Sequence, residues 1–204
     1  MPDFTKLLGV NWIDPVLRRK QNDPARAPNP QWIKDKVDNI VSRKMNAIRI
    51  PIYMETLFQG STYSPANVIT HLTALASYCE SKGIYSYVEF HQFANNDSTD
   101  VGSSSSPGGG GGLPAYLVAG QNAMTFYDNI WSTTNEPPIW NEIFNKYWLP
   151  ILNAIDSYQF VLGYELFNEP PLYRPAHWQG LVNFNTAMAQ KIRAWGSQKY
   201  ILFV

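Results

Sequence analysis

The sequence holds a single cysteine, Cys79, in 204 residues. A disulfide framework within the chain is excluded, and a cysteine-rich structural zinc cluster has no ligands to draw on. Net charge is missing too: 16 Lys and Arg stand against 16 Asp and Glu. No basic stripe is visible, which argues against nucleic acid or an anionic membrane surface as a partner. Histidines number three, no pair has the spacing of a zinc site, and no Gly-rich phosphate turn joins a strand to a helix, so neither a metal nor another cofactor is expected. His71 and His177 fall in helical stretches and are assigned no role. No apolar run is long enough to span a bilayer. The opening MPDFTKLLGVNW has no basic segment followed by a clean apolar one, so no secretory signal is read there and localisation stays open.

What is present describes one globular domain. Hydrophobic residues make up 45% of the chain, enough for a real core at this length. Five short apolar runs recur: LLGVN (7–11), MNAIRIP (45–51), GIYSYVEF (83–90), FVLGYELF (160–167) and KYILFV (199–204). Near-continuous apolar strands are the mark of a parallel sheet covered on both faces. Helical patterns separate them at 30–44, 64–83, 141–158 and 175–196. The second opens with Ser-Pro and stops on Gly83, and the last stops on Gly196. Pro150 should kink the third. The alternation predicts right-handed βαβ units. The stretch DVGSSSSPGGGGG (100–112) is low in complexity and cannot pack a core. It lies in a long connection, 91–138, which reads as loop, and the alternation resumes after it, so no domain boundary is placed there.

Several strands end on polar residues: Asn11 on the first, Arg49 on the second before Ile50-Pro51, Glu89 and His91 on the third, Asn168-Glu169 on the fourth. One such residue is often only a cap. Their recurrence at successive strand ends is the pattern of α/β barrels, whose chemistry sits on the loops that follow the strands. GVNW in the first strand, IRIP in the second, VEFH in the third and LFNEP closing the fourth together resemble glycoside hydrolase family 5, the cellulase-like TIM barrels. The resemblance runs over essentially the whole chain. A second Asn-Glu-Pro, in TNEPP (134–138), follows no strand, and Glu136 reads as an acid near a helix start.

The resemblance implies an α/β TIM barrel of which residues 1–204 are about the first five βα units of a single catalytic domain. It implies a retaining O-glycosyl hydrolase acting on β-linked oligo- or polysaccharide, cellulase-like, with Glu169 as acid/base. Asn168 would bond the sugar 2-hydroxyl, Arg49 would orient the nucleophile carboxylate, and His91 would bind a sugar hydroxyl near the cleavage point. Read from the residues alone, Arg49 is also a candidate partner for a structural carboxylate such as Glu89, and His91 for a plain loop histidine. Glu165 lies about 13 Å from Glu169 along an extended strand, too far to be its catalytic partner. It reads as a structural acid that needs its own partner if buried. Glu89 stands where the family usually has an acid one carbon shorter. In the aromatic stretch FYDNIWSTTNEPPIW (126–140), Trp131 is the candidate sugar platform; the competing reading packs Trp131 and Trp140 beneath the loop and its following helix.

A complete barrel needs about 250 residues, and the family's nucleophile Glu belongs to its seventh strand. No residue here matches that position, so this polypeptide alone is expected to be inactive. Asp97, Asp100, Asp128 and Glu136 sit in the long connection, where a nucleophile would be poorly pre-organised. Two alternatives stay open: a non-catalytic carbohydrate-binding or subunit protein completed by a second chain, and a glycosidase acting on glycolipids.

Overall fold

The computed structural model of the chain describes residues 3–12, 14, 16–17, 29–57, 64–91 and 123–203. The Gly/Ser segment 100–112, Asp97 and Asp100 lie outside them. Five parallel strands form one sheet in sequence order: β1 (Gly9–Asn11), β2 (Ala47–Tyr53), β3 (Tyr85–His91), β4 (Val161–Glu165) and β5 (Tyr200–Leu202). The helices are α1 (Pro30–Ser42), α2 (Pro65–Ser81), α3 (Ala123–Ile130), α4 (Pro138–Ile143), α5 (Leu149–Ile155) and α6 (Ala176–Trp195). This is an α/β arrangement and an incomplete barrel.

Register decides which side chains share a face. Asn11, Arg49, Tyr87, Gly163 and Tyr200 lie level across the sheet. One step along, Pro51, Glu89, Glu165 and Leu202 form the next level row, and Tyr53 pairs with His91 above it. Because side chains alternate, the intervening residues take the other face. There Ile48, Ile50, Ile52, Val88, Phe90 and Tyr164 are wholly buried, and their burial against the helical layer is the main stabilising contribution. Gly163 is required where it stands: a Cβ there would meet the Tyr200 carbonyl oxygen at 2.1 Å.

Helix starts follow local chemistry. Asn29 Oδ1 accepts from the Trp32 N–H at 3.0 Å, with Pro30 in the first turn of α1. Pro65 opens α2 likewise.

Three elements differ from the sequence expectation. β2 does not end at Arg49 but runs through Pro51 to Tyr53. The Trp12 N–H bonds the Arg49 carbonyl at 2.8 Å and the Tyr53 N–H bonds the Leu17 carbonyl at 3.0 Å, both towards the β1 side. Pro51 lies between them on that same side, where β1 has already ended, so its missing N–H costs no ladder bond. The helical run before β4 begins earlier, at Pro138, and takes a π turn over Phe144–Trp148 between α4 and α5. The carbonyl four residues before Pro150 belongs to Lys146, inside that wider turn, which gives the proline ring room. Finally, α3 lies within the stretch expected as loop. Phe126, Tyr127, Ile130 and Trp131 are buried at helical spacing.

Candidate active site

Arg49 joins three elements. Its Nε donates to Glu165 Oε2 at 3.0 Å and its Nη2 to Glu165 Oε1 at 2.5 Å, a two-pronged contact. Nη1 lies 3.2 Å from Glu89 Oε2. Nη2 also donates to Asn168 Oδ1 at 2.9 Å. The guanidinium fork suits this work, since one planar group serves a carboxylate side-on and keeps donors for others. Burial alone would lower the Arg49 pKa. The Glu165 hydrogen bond and the charges of Glu89 and Glu165 outweigh it and raise the pKa.

Glu89 is fully buried, and its Oε1 lies 2.5 Å from His91 Nδ1. The His91 ring stacks on Tyr53, centroids 5.1 Å apart at 21°. Behind the sheet, Tyr147 donates its hydroxyl to the Ile52 and Glu89 carbonyls at 2.9 and 3.1 Å. Its burial, with Glu89 and Glu165 nearby, raises the hydroxyl pKa well above the ordinary value and keeps it a neutral donor. Tyr87, level with Arg49, is likewise pushed up by burial, against the opposing pull of the Arg49 charge.

Asn168 and Glu169 follow the end of β4. The Asn168 N–H bonds the Phe90 carbonyl at 3.0 Å, and the residue is buried. Glu169 is exposed and has a φ of +46°. This left-handed backbone stands directly before Pro170, whose ring favours an extended predecessor. For a non-glycine residue such a conformation costs about 1–3 kcal/mol and persists where its surroundings over-determine it.

Of the residues singled out in the sequence, Arg49, Asn168 and His91 come together, His91 through Glu89, and the exposed Glu169 follows Asn168 in the chain. Trp131 does not join them. Its ring is 2% exposed, set edge-on against Phe167 and Phe184 at 5.1 and 5.6 Å, and its indole N–H donates to the Pro171 carbonyl at 2.8 Å. The expected sugar platform is corrected: the faces of the ring are covered by core side chains. Trp140 is buried as well and donates to the Ile130 carbonyl. Glu165 is the residue the sequence reading undervalued. Its place was measured along the strand towards Glu169, whereas its partner lies across the sheet on β2.

Among the described residues, the two acids of the long connection, Asp128 and Glu136, have partners. Glu136 pairs with Lys191 at 2.7 Å, and Asp128 holds Arg174 and His177. His71 pairs with Asp14. Among the described residues no group of His, Cys, Asp and Glu could hold a metal ion, and no helix is long and apolar enough to cross a membrane.

Comparison with known proteins bears on the family and the fold. The family model Cellulase (glycosyl hydrolase family 5) matches residues 20–204. No curated protein matches the chain. Among solved structures, endo-glycoceramidase II from Rhodococcus sp., in a complex with a cellobiose-like imidazole, superposes with a TM-score of 0.71 at 18% identity, covering 97% of this chain and 48% of that one. An endogalactoceramidase gives 0.66 at 16% identity, with 97% and 48% covered. A family 5 enzyme from Prevotella bryantii B14 gives 0.58 at 16% identity, with 97% and 54% covered. The chain thus spans about half the length of these structures. On the family match over residues 20–204, the chain belongs to glycosyl hydrolase family 5.

Proposed function

We propose that residues 1–204 are part of the catalytic domain of a retaining β-glycosidase, with Glu169 as acid/base. The observation that carries this reading is the contrast at the end of β4: Asn168 is buried and held by Arg49, while Glu169 next to it is turned outward by a strained backbone. In the reaction, the bond from C1 to the glycosidic oxygen breaks and its electron pair stays on that oxygen, which takes the Glu169 proton. A carboxylate of a later strand, roughly 5–5.5 Å from Glu169, bonds C1. Water then displaces that carboxylate, giving its proton to Glu169. Asn168 would meet the sugar 2-hydroxyl, with Arg49 setting which end of its amide faces the ligand. Arg49 would also bring positive charge to the nucleophile's side of the site, and His91 would meet a neighbouring hydroxyl.

The substrate proposed first is a β-linked glucan. A second reading, a glycolipid head group, is favoured by the glycoceramidase and galactoceramidase names among the similar structures. The test is hydrolysis of carboxymethylcellulose, aryl β-cellobiosides and a glucosylceramide. The 204-residue chain is compared with the same chain continued through three further βα units. Activity is expected only in the continued form, and Glu169→Gln there should lower the rate on unactivated substrate by about 10²–10⁴-fold while sugar binding persists. Unchanged activity in Glu169→Gln would remove Glu169 from the mechanism. Cellulose-derivative turnover without ceramide turnover selects the first substrate reading, and the reverse selects the second. Activity of the short form alone would show that a nucleophile is supplied within it or by self-association. No turnover by either form, with retained sugar binding, would favour the non-catalytic alternative.

A further inference from the structure

The segment after Glu169 is tied down by an element outside the alternation of strands and helices. Trp131, at the end of α3, donates its indole N–H to the Pro171 carbonyl at 2.8 Å. From α3 itself, Asp128 accepts from Arg174 through both oxygens, at 2.7 and 2.9 Å, and from His177 Nε2 at 2.8 Å. His177 Nδ1 accepts the Tyr173 backbone N–H at 3.1 Å, which leaves Nε2 to carry the proton given to Asp128. The end of α3 is seated tightly: a Cβ on Gly180 of α6 would lie 2.2 Å from the Trp131 carbonyl oxygen.

These contacts lie on one side of Glu169. On the other, Asn168 is held by the Phe90 carbonyl and by Arg49. A left-handed glutamate before a proline needs restraint from both directions to stay in place. The strand-side contacts supply one restraint. Trp131 and Asp128 supply the other, at positions two and five residues beyond Glu169, counted to Pro171 and Arg174.

The geometry points to Trp131 and Asp128 as positioning residues for the acid/base: α3 is a strut that holds the 168–174 turn so that Glu169 presents its carboxyl at one fixed place. The inference rests on the proposed role of Glu169. It also gives Trp131 a function other than stacking on sugar, and makes α3 a determinant of proton delivery.

Two variants test it: Trp131→Phe, which keeps an aromatic ring without the N–H, and Asp128→Ala, at an exposed position, which frees Arg174 and also takes its acceptor from the buried His177. Lys191→Ala, which breaks the contacts with Glu136 and Asn141 and none with 168–174, is the control. In the 204-residue chain, amide hydrogen exchange at Asn168 and Tyr173 should speed up by about tenfold in both variants and not in the control. In the continued, active form, kcat/KM should be measured on phenyl and on 2,4-dinitrophenyl β-cellobioside. A dinitrophenolate leaves without a proton and a phenolate leaves poorly without one. Misplacing the acid should therefore lower kcat/KM on the phenyl glycoside by about 10- to 100-fold and on the dinitrophenyl glycoside by less than about threefold. Equal losses on both substrates would mean a merely structural role and would overturn the strut, as would unchanged exchange. If Glu169→Gln itself shows no difference between the two leaving groups, the acid/base reading fails; if it does and Asp128→Ala does not, only the strut fails.

Discussion

Arg49 is one positive charge facing two carboxylates, Glu89 and Glu165, both largely withdrawn from water. Removing it would leave Glu165 without its cation and Glu89 with His91 as its remaining side-chain partner. Arg49→Met should lower the unfolding free energy by about 3–5 kcal/mol, the cost of breaking a buried pair from one side. Arg49→Lys should recover only part of it, because a single ammonium cannot serve the two oxygens of Glu165, Glu89 and Asn168 at once. The pair term is measurable. Combining Arg49→Met with Glu165→Gln should give a coupling of about 1–3 kcal/mol in urea denaturation. Strict additivity would mean that the short Arg49–Glu165 contact contributes nothing of its own. The same arithmetic bears on function: a side chain committed to Glu165, Glu89 and Asn168 is a rigid support for the amide it holds, whatever else it meets.

The connection after β1 depends on a different buried group. Asp14 accepts from the Trp12 indole N–H at 2.7 Å and from the Val16 and Leu17 N–H groups at 2.7 and 3.0 Å, and it lies 2.7 Å from His71 Nε2 on α2. Burial pushes its carboxyl upward, but the His71, Trp12 and Val16 interactions together hold it below its usual value of 3.8. The unfolded chain therefore binds the extra proton first as pH falls. Asp14's contribution is complete above the unfolded value and is lost as the pH drops through the lower folded one. Asp14→Asn should destabilise by about 1–3 kcal/mol near neutrality, since an amide N–H₂ would face two donors. The gap in urea midpoint between the two proteins should hold steady down to about pH 5 and narrow below about pH 4. A gap undiminished at the acid end would rule out the carboxylate as its source. At this scale the sequence was legible where periodicity was clean. β4 lies inside its apolar run, and β3 does so up to Phe90, because their outer faces are buried under helices; β1 and β5 also lie inside their runs, although their side chains are exposed or half-buried. β2 was cut short because Pro51 looks like a stop when the β1-side geometry is unknown. α3 was hidden because its aromatic residues suggested a ligand surface as readily as a helix face. The Arg49–Glu165 contact was out of reach: alternation along a strand tells which face a residue takes, but Arg49 must reach past β3, about 10 Å across the sheet, to find its partner.

Across the whole molecule, the five-stranded sheet has two ends. β1 and β5 each have one strand neighbour among the described residues, so each offers a row of backbone donors and acceptors with no strand partner there. The apolar side chains at these edges are exposed: Val10 in β1 at 36% with Leu8 just before it at 53%, and Tyr200 in β5 at 36% with Phe203 just after it at 59%. In a closed barrel the two edges are joined through the intervening strands and such side chains gain cover. The expected behaviour of the 204-residue chain is therefore concentration-dependent association. Its light-scattering mass should rise above that of one chain at micromolar concentration, while the continued form stays at the mass of one chain. Association has to start somewhere, and Phe203, the most exposed of the four and adjacent to β5, is the place to probe. Phe203→Lys sets a charge against edge-to-edge pairing and should shift the onset to higher concentration by about tenfold, which corresponds to about 1.4 kcal/mol per contact. A short chain that remains monomeric at high concentration would mean that its open edges are protected by segments outside the described residues, and the closing of the barrel would then be a matter of activity alone rather than of solubility.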